Sequence, residues 1–90
     1  MLVNVDDLQQ IGALIRAVRK ADAIRQDDLA AMLDLSHVYL RSLERGKGTA
    51  HAGGLLKVLQ ELGIRVQLDV PLSQDAVNRV LSRTENASKT

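Results

Sequence analysis

At 90 residues the chain has room for one small core; 46% of its residues are hydrophobic, 26% are charged, and the net charge is +1. These values exclude a disordered chain, a collagen-like chain and a coiled-coil rod. There is no Cys, so disulfides, thiolate chemistry and zinc knuckles are excluded too, and with no Phe, no Trp and a single Tyr, Tyr39, base stacking on aromatic platforms is not expected.

Asp6 or Asp7 can cap a first helix over residues 7–21, where Leu8, Ile11, Ile15 and Val18 recur on one helical face that Leu14 widens. A short second helix over 26–33 turns Leu29, Ala30 and Leu33 inward. Asp34-Leu35-Ser36 breaks the chain, Ser36 caps a third helix that runs to Arg45 with Leu40 and Leu43 inward, and Gly46 ends it. Gly48 keeps the next loop open. Thr49 can cap a fourth helix carrying Leu55, Leu56, Leu59 and Leu62 as far as Gly63. Residues 64–70 (IRVQLDV) then alternate apolar and polar until Pro71, the best strand signal in the chain. A lone strand leaves its backbone unpaired, and its simplest partner is the same strand of a second copy. Leu62, Ile64, Arg65, Val66, Gln67, Leu68, Asp69 and Val70 are therefore the expected homodimer interface, with Ile64, Val66, Leu68 and Val70 facing the helices. From Ser73 the sequence turns polar. Val77, Val80 and Leu81 support one or two helical turns, and residues 84–90 read as a disordered tail. The expected organisation is a domain over 5–72 and a short, weakly helical or disordered tail over 73–90.

No apolar run approaches the roughly 20 residues of a membrane span. The N-terminus lacks a basic stretch followed by an apolar one, so a cytoplasmic protein without a membrane partner is expected. Charge is unevenly spread. Residues 25–35 hold Arg25 against Asp27, Asp28 and Asp34, whereas residues 36–47 hold Arg41, Arg45 and Lys47 against Glu44 alone. A local basic face is the electrostatic footprint of a phosphate binder, although a solvated helix face has the same composition.

The spacing of Gln26, Leu29, Ala30, Asp34, Ser36, Leu40, Leu43, Glu44 and Gly46 is that of a helix-turn-helix. Over residues 8–62 the chain resembles the Xre/Cro family of DNA-binding proteins, most specifically in QDDLA at 26–30 and LERGK at 43–47. The layout of residues 55–71 is similar to the HipB antitoxin branch. The resemblance implies a mainly helical, lambda-repressor-like domain of four to five helices, followed by one strand that pairs across a homodimer. It implies a sequence-specific repressor of a palindromic operator in double-stranded DNA, an antitoxin that represses its own operon and binds a HipA-like kinase toxin. Two alternatives stand beside it: a free-standing regulator without a toxin, and a protein-interaction module with weak DNA binding.

By the same resemblance the third helix enters the major groove. His37, Val38 and Ser42 face bases with Arg41 beside them, His37 and Arg41 donating to guanine and Val38 touching a thymine methyl. Gln26, Arg45, Lys47 and Thr49 take phosphate contacts, with Ser36 at the helix start, and Arg19 forms a structural ion pair with Glu44. Three positions depart from the family pattern. Asp34 stands where the turn has Gly, Arg25 where helix two has a capping side chain, and Ala23 where Gly often ends helix one. No enzyme, metal or cofactor is expected. His37 and His51 lack a third ligand, neighbouring helix residues such as Ser36 and His37 do not face each other, and no glycine-rich phosphate loop follows a strand.

Overall fold

The computed structural model describes residues 1–47 and 51–88, with side chains to 84. Its five helices are α1 (Leu8–Ala21), α2 (Gln26–Met32), α3 (His37–Glu44), α4 (Ala52–Glu61) and α5 (Gln74–Ser88). The core is Ile15 of α1, Leu29 and Ala30 of α2, Leu40 and Leu43 of α3, and Val58, Leu59 and Leu62 at the end of α4. Ile11, Val18, Leu33 and Leu55 pack against it, while Leu14 and Leu56, expected inward, are exposed.

Two of the first four helix starts, those of α1 and α3, are fixed by a capping side chain. The Asp7 carboxylate accepts the Gln10 amide at 2.8 Å, and the Gln10 side chain reaches back to the Asp6 amide. Ser36 Oγ accepts the Tyr39 amide at 2.9 Å. Arg25 gives α2 no capping bond, and Asp27 and Asp28 in the first turn favour the positive end of its dipole instead. α4 begins at His51, also without a side-chain cap, whereas Thr49 and Gly48 lie outside the described residues.

The helix ends share one geometry. After α1, α2, α3 and α4 the chain passes through a left-handed residue, Ala23 (φ 57), Asp34 (φ 56), Gly46 (φ 74) and Gly63 (φ 73) respectively. At each, the next amide bonds back five residues: Ile24 to Arg19, Leu35 to Ala30, Lys47 to Ser42, Ile64 to Leu59. This is the Schellman arrangement, and Ile24, Leu35 and Ile64 place its customary apolar side chain on the core. Two of the four positions lack glycine and carry the steric cost of a Cβ at positive φ. Ala23→Gly and Asp34→Gly should each stabilise the fold by about 1 kcal/mol, raising the midpoint by about 4–8 °C in thermal melts. No gain in either variant would mean that the turns relax without a left-handed residue.

α1 crosses α3 closely because of Gly12. A Cβ there would stand under 3.0 Å from the Leu43 and Glu44 carbonyl oxygens. That crossing presents α3 outward beside α1.

The C-terminal part departs from the sequence expectation in two ways. Residues 64–70 form no strand in the single chain, because a strand exists only through ladder bonds to a neighbour and no described segment supplies them. Ile64 packs on the core, but Val66 (54% exposed), Leu68 (80%) and Val70 (41%) do not face the helices. The register expected for residues 64–70 belongs to the dimer, and in the single chain Ile64 alone packs on the core. Second, α5 is 15 residues long rather than one or two turns. Ser73 Oγ accepts the Ala76 amide at 3.2 Å, Asp75 lies in the first turn, and Gln74 bonds Asn78 one turn on, so local terms carry a helix whose apolar stripe is weak.

Candidate nucleic-acid interface

α3 has two faces. Leu40, Leu43 and Glu44 are buried. At 100° per residue His37, Val38, Arg41, Ser42 and Arg45 fall on the opposite stripe. All five are exposed except Ser42, which is half-buried, and Val38 shows 70% of its surface. An exposed valine between two cations and a histidine is an unusual solvent face and a suitable groove-reading face. Ser36 is spent on capping, Lys47 is exposed just beyond the turn, and Gln26 is half-buried as the first residue of α2. Thr49 lies outside the described residues.

Behind the stripe is a chain of polar bonds. Arg19 Nε donates to Glu44 Oε2 at 2.7 Å and Nη2 donates to Oε1 at 2.9 Å, with both side chains nearly inaccessible. Arg19 Nη1 donates to the Ile24 carbonyl at 2.9 Å, tying the pair to the end of α1. The hydrogen bond to Glu44 raises the Arg19 pKa above its ordinary value, against the opposing effect of burial. Gln26 Nε2 donates to Glu44 Oε1 at 3.2 Å, and Gln26 Oε1 pairs with His37 Nε2 at 2.9 Å. The buried pair thus extends through Gln26 to the exposed start of α3. Tyr39 is half-buried and its hydroxyl donates to the His51 carbonyl, a tie from α3 to the start of α4. Burial raises its pKa, and backbone hydrogen bonds oppose the rise.

Sequence reasoning missed Arg16 and Lys20. They stand at i and i+4 on α1 and line an open groove of about 750 Å³ together with Gln26, Arg41 and Arg45. Among the described residues Glu44 is the one carboxylate on its wall and is engaged by Arg19, which leaves Arg16, Lys20, Arg41 and Arg45 without a carboxylate partner there. The i, i+4 spacing beside the inward Arg19 was visible in the sequence. What was not visible was the closeness of α1 and α3, which Gly12 sets. Among the described residues no three His, Cys, Asp or Glu side chains stand together in a metal-ligating group. No helix among them is long and apolar enough to cross a membrane.

Comparison with known proteins agrees with this geometry. The family model Helix-turn-helix (HTH_3) matches residues 15–68. A curated relative, the uncharacterized HTH-type transcriptional regulator y4mF of Sinorhizobium fredii, is 44% identical over 61 residues, covering 68% of this chain and 80% of that protein. Among solved structures, a chain of the HipA-HipB-O2-O3 complex superposes with a TM-score of 0.70 at 17% identity, covering 79% of this chain and all of that one. A chain of the HipB-O4 20mer complex gives 0.69, also at 17% identity over 79% of this chain and all of its own. At that identity the likeness is one of fold.

Proposed function

This chain belongs to the helix-turn-helix family and is a DNA-binding transcriptional regulator, and we propose that it acts as a dimeric, sequence-specific repressor that reads a palindromic operator with α3. The observation that carries the proposal is the stripe of exposed His37, Val38 and Arg41 with half-buried Ser42, beside a groove on which Arg16, Lys20, Arg41 and Arg45 have no carboxylate partner among the described residues. On this reading the α3 stripe meets base edges. Gln26, Arg45, Lys47 and Thr49 meet phosphates, and Arg16 and Lys20 add a second ridge of phosphate contacts from α1. Residues 5–72 carry the DNA-binding and dimerising functions, and residues 73–90 lie outside both. The protein works where the chromosome is, in the cytoplasm, and its role is binding rather than catalysis.

We further infer an antitoxin role, in which the repressor also binds a HipA-like kinase toxin. Support comes from the fold shared with chains of HipB complexes. If a kinase-type reading frame adjoins this gene, its product should co-elute with this protein. Separate elution at micromolar concentration would leave a free-standing regulator.

The test of DNA binding is its salt dependence. Each phosphate contact adds about 0.9 to the slope of log affinity against log salt, and a dimer makes each contact twice. Arg16→Ala or Lys20→Ala should therefore reduce the slope by about 1.8 and weaken all sequences alike. Arg41→Ala should instead relax base preference, by about 1–3 kcal/mol if its contact is bidentate. Binding to the upstream DNA that does not weaken with salt would sink the reading.

A further inference from the structure

With His37 neutral, the polar chain behind α3 has one consistent assignment of hydrogens. A guanidinium can only donate and a carboxylate can only accept. Glu44 takes two bonds from Arg19 and a third from Gln26. The Gln26 atom facing Glu44 must therefore be its amide nitrogen, since the reversed amide would set oxygen against carboxylate. The Gln26 oxygen then faces His37, and the ring nitrogen 2.9 Å from it, Nε2, has to carry a hydrogen. A neutral imidazole has one such hydrogen. Nδ1 is left with a lone pair and, among the described residues, makes no hydrogen bond.

His37 is the first residue of α3 and is exposed on the stripe it shares with Val38 and Arg41. The N-terminal residues of a recognition helix are the ones that reach base edges. In the major groove adenine N6 and cytosine N4 donate, whereas guanine O6 and N7 and thymine O4 accept. Resting on the DNA-reading function above, we propose that His37, fixed as its Nε2–H tautomer by Gln26, reads an amino base, adenine or cytosine, through Nδ1. A keto base at that position would oppose two lone pairs. This reverses the donation to guanine expected of an unconstrained His37, and it leaves Arg41 as the donor on the stripe. Gln26 is a positioning residue here: it acts on the base only by holding the ring.

Two measurements test this. Long-range nitrogen–proton NMR of the free protein at pH 8, where imidazoles are largely neutral, should give the Nε2–H pattern for His37. An Nδ1–H pattern would overturn the proposal without touching the DNA-binding reading. Selection from a randomised duplex pool at the same pH should give one position per half-site that is A or C, preferred about tenfold over G or T. His37→Ala should flatten that position alone. His37→Gln should narrow it to A, because a Gln amide pairs with adenine in two places. Gln26→Ala should erase the amino-over-keto preference even where overall affinity also falls. A G or T at the position that His37→Ala flattens overturns the proposal, as does an operator unchanged by His37→Ala. A wild-type protein that selects no sequence fails the function and the proposal together, and is recognised by its flat pool.

Discussion

Glu44→Ala should lower the free energy of unfolding by about 3–5 kcal/mol, a large part of the 5–15 kcal/mol typical of a whole domain. The Glu44 side chain is 2% accessible and that of Arg19 is 9%, and two bonds of 2.7 and 2.9 Å join them. Removing the carboxylate leaves a nearly buried guanidinium, still charged at neutral pH, without its partner. The pair raises the Arg19 pKa, so the cation's contribution is present below its unfolded pKa and is lost only as pH rises through the folded one, in strong alkali. The variant also frees Gln26 and removes one tie between α1, α2 and α3. Arg19→Ala should cost a similar amount for the converse reason. The double variant Arg19→Met with Glu44→Leu should recover most of the loss, because it buries neither charge. Urea unfolding of the four proteins reads these differences. A loss under about 1 kcal/mol in Glu44→Ala would mean the pair behaves like a surface salt bridge.

The sequence carried this pair unevenly. Arg19 and Glu44 are 25 residues apart, and no local rule joins them; only the family resemblance did. Local rules did reach the first four helices, because periodicity, an Asp or Ser cap and a left-handed stop are properties of neighbouring residues. The family resemblance also singled out Ala23 and Asp34, where the pattern has glycine, and the structure has both at positive φ. Local rules failed where the deciding group lies elsewhere. The groove cations Arg16 and Lys20 meet Arg41 and Arg45 only because Gly12 allows α1 and α3 to touch. The length of α5 was underestimated for another reason. Its apolar face is poor, with Val80 and Leu81 more than half exposed, and a face is what the reading of that segment relied on. The alternation over 64–70 describes what a strand needs on its two faces. It says nothing of whether one chain can supply the partner backbone, and within this chain none of the described segments does.

The same exposure makes Leu68 the position with the largest expected effect on assembly. Val66, Leu68, Val70 and Leu72 are each more than 40% exposed within nine residues of Ile64, which is docked on the core. Ile64, Val66, Leu68 and Val70 share one parity, so in an extended conformation they share one face. The proposed homodimer covers that face by pairing residues 64–70 of two copies antiparallel about a twofold axis at Gln67. Arg65 of each chain then lies opposite Asp69 of the other, and the two Gln67 side chains meet. Leu68→Ala removes a buried side chain twice per dimer, at about 2–5 kcal/mol each, so the dimer should dissociate roughly a thousandfold more readily or worse. The monomer should barely notice, since Leu68 is 80% exposed in the single chain. Operator affinity should fall with the dimer although α3 is untouched, because two recognition helices must engage half-sites about 34 Å apart together. Sedimentation of the wild type and the variant reads the first effect, and operator titration reads the second. The charges test the register. Arg65→Asp should weaken the dimer by about 0.2–1 kcal/mol for each of its two pairs, and adding Asp69→Arg should restore it. A register with Arg65 against Arg65 would respond in neither way, because the substitution would exchange one like-charge contact for another. A wild type that sediments as a monomer at micromolar concentration, with full operator affinity, would remove the shared strand from the mechanism and leave a single α3 to account for the binding.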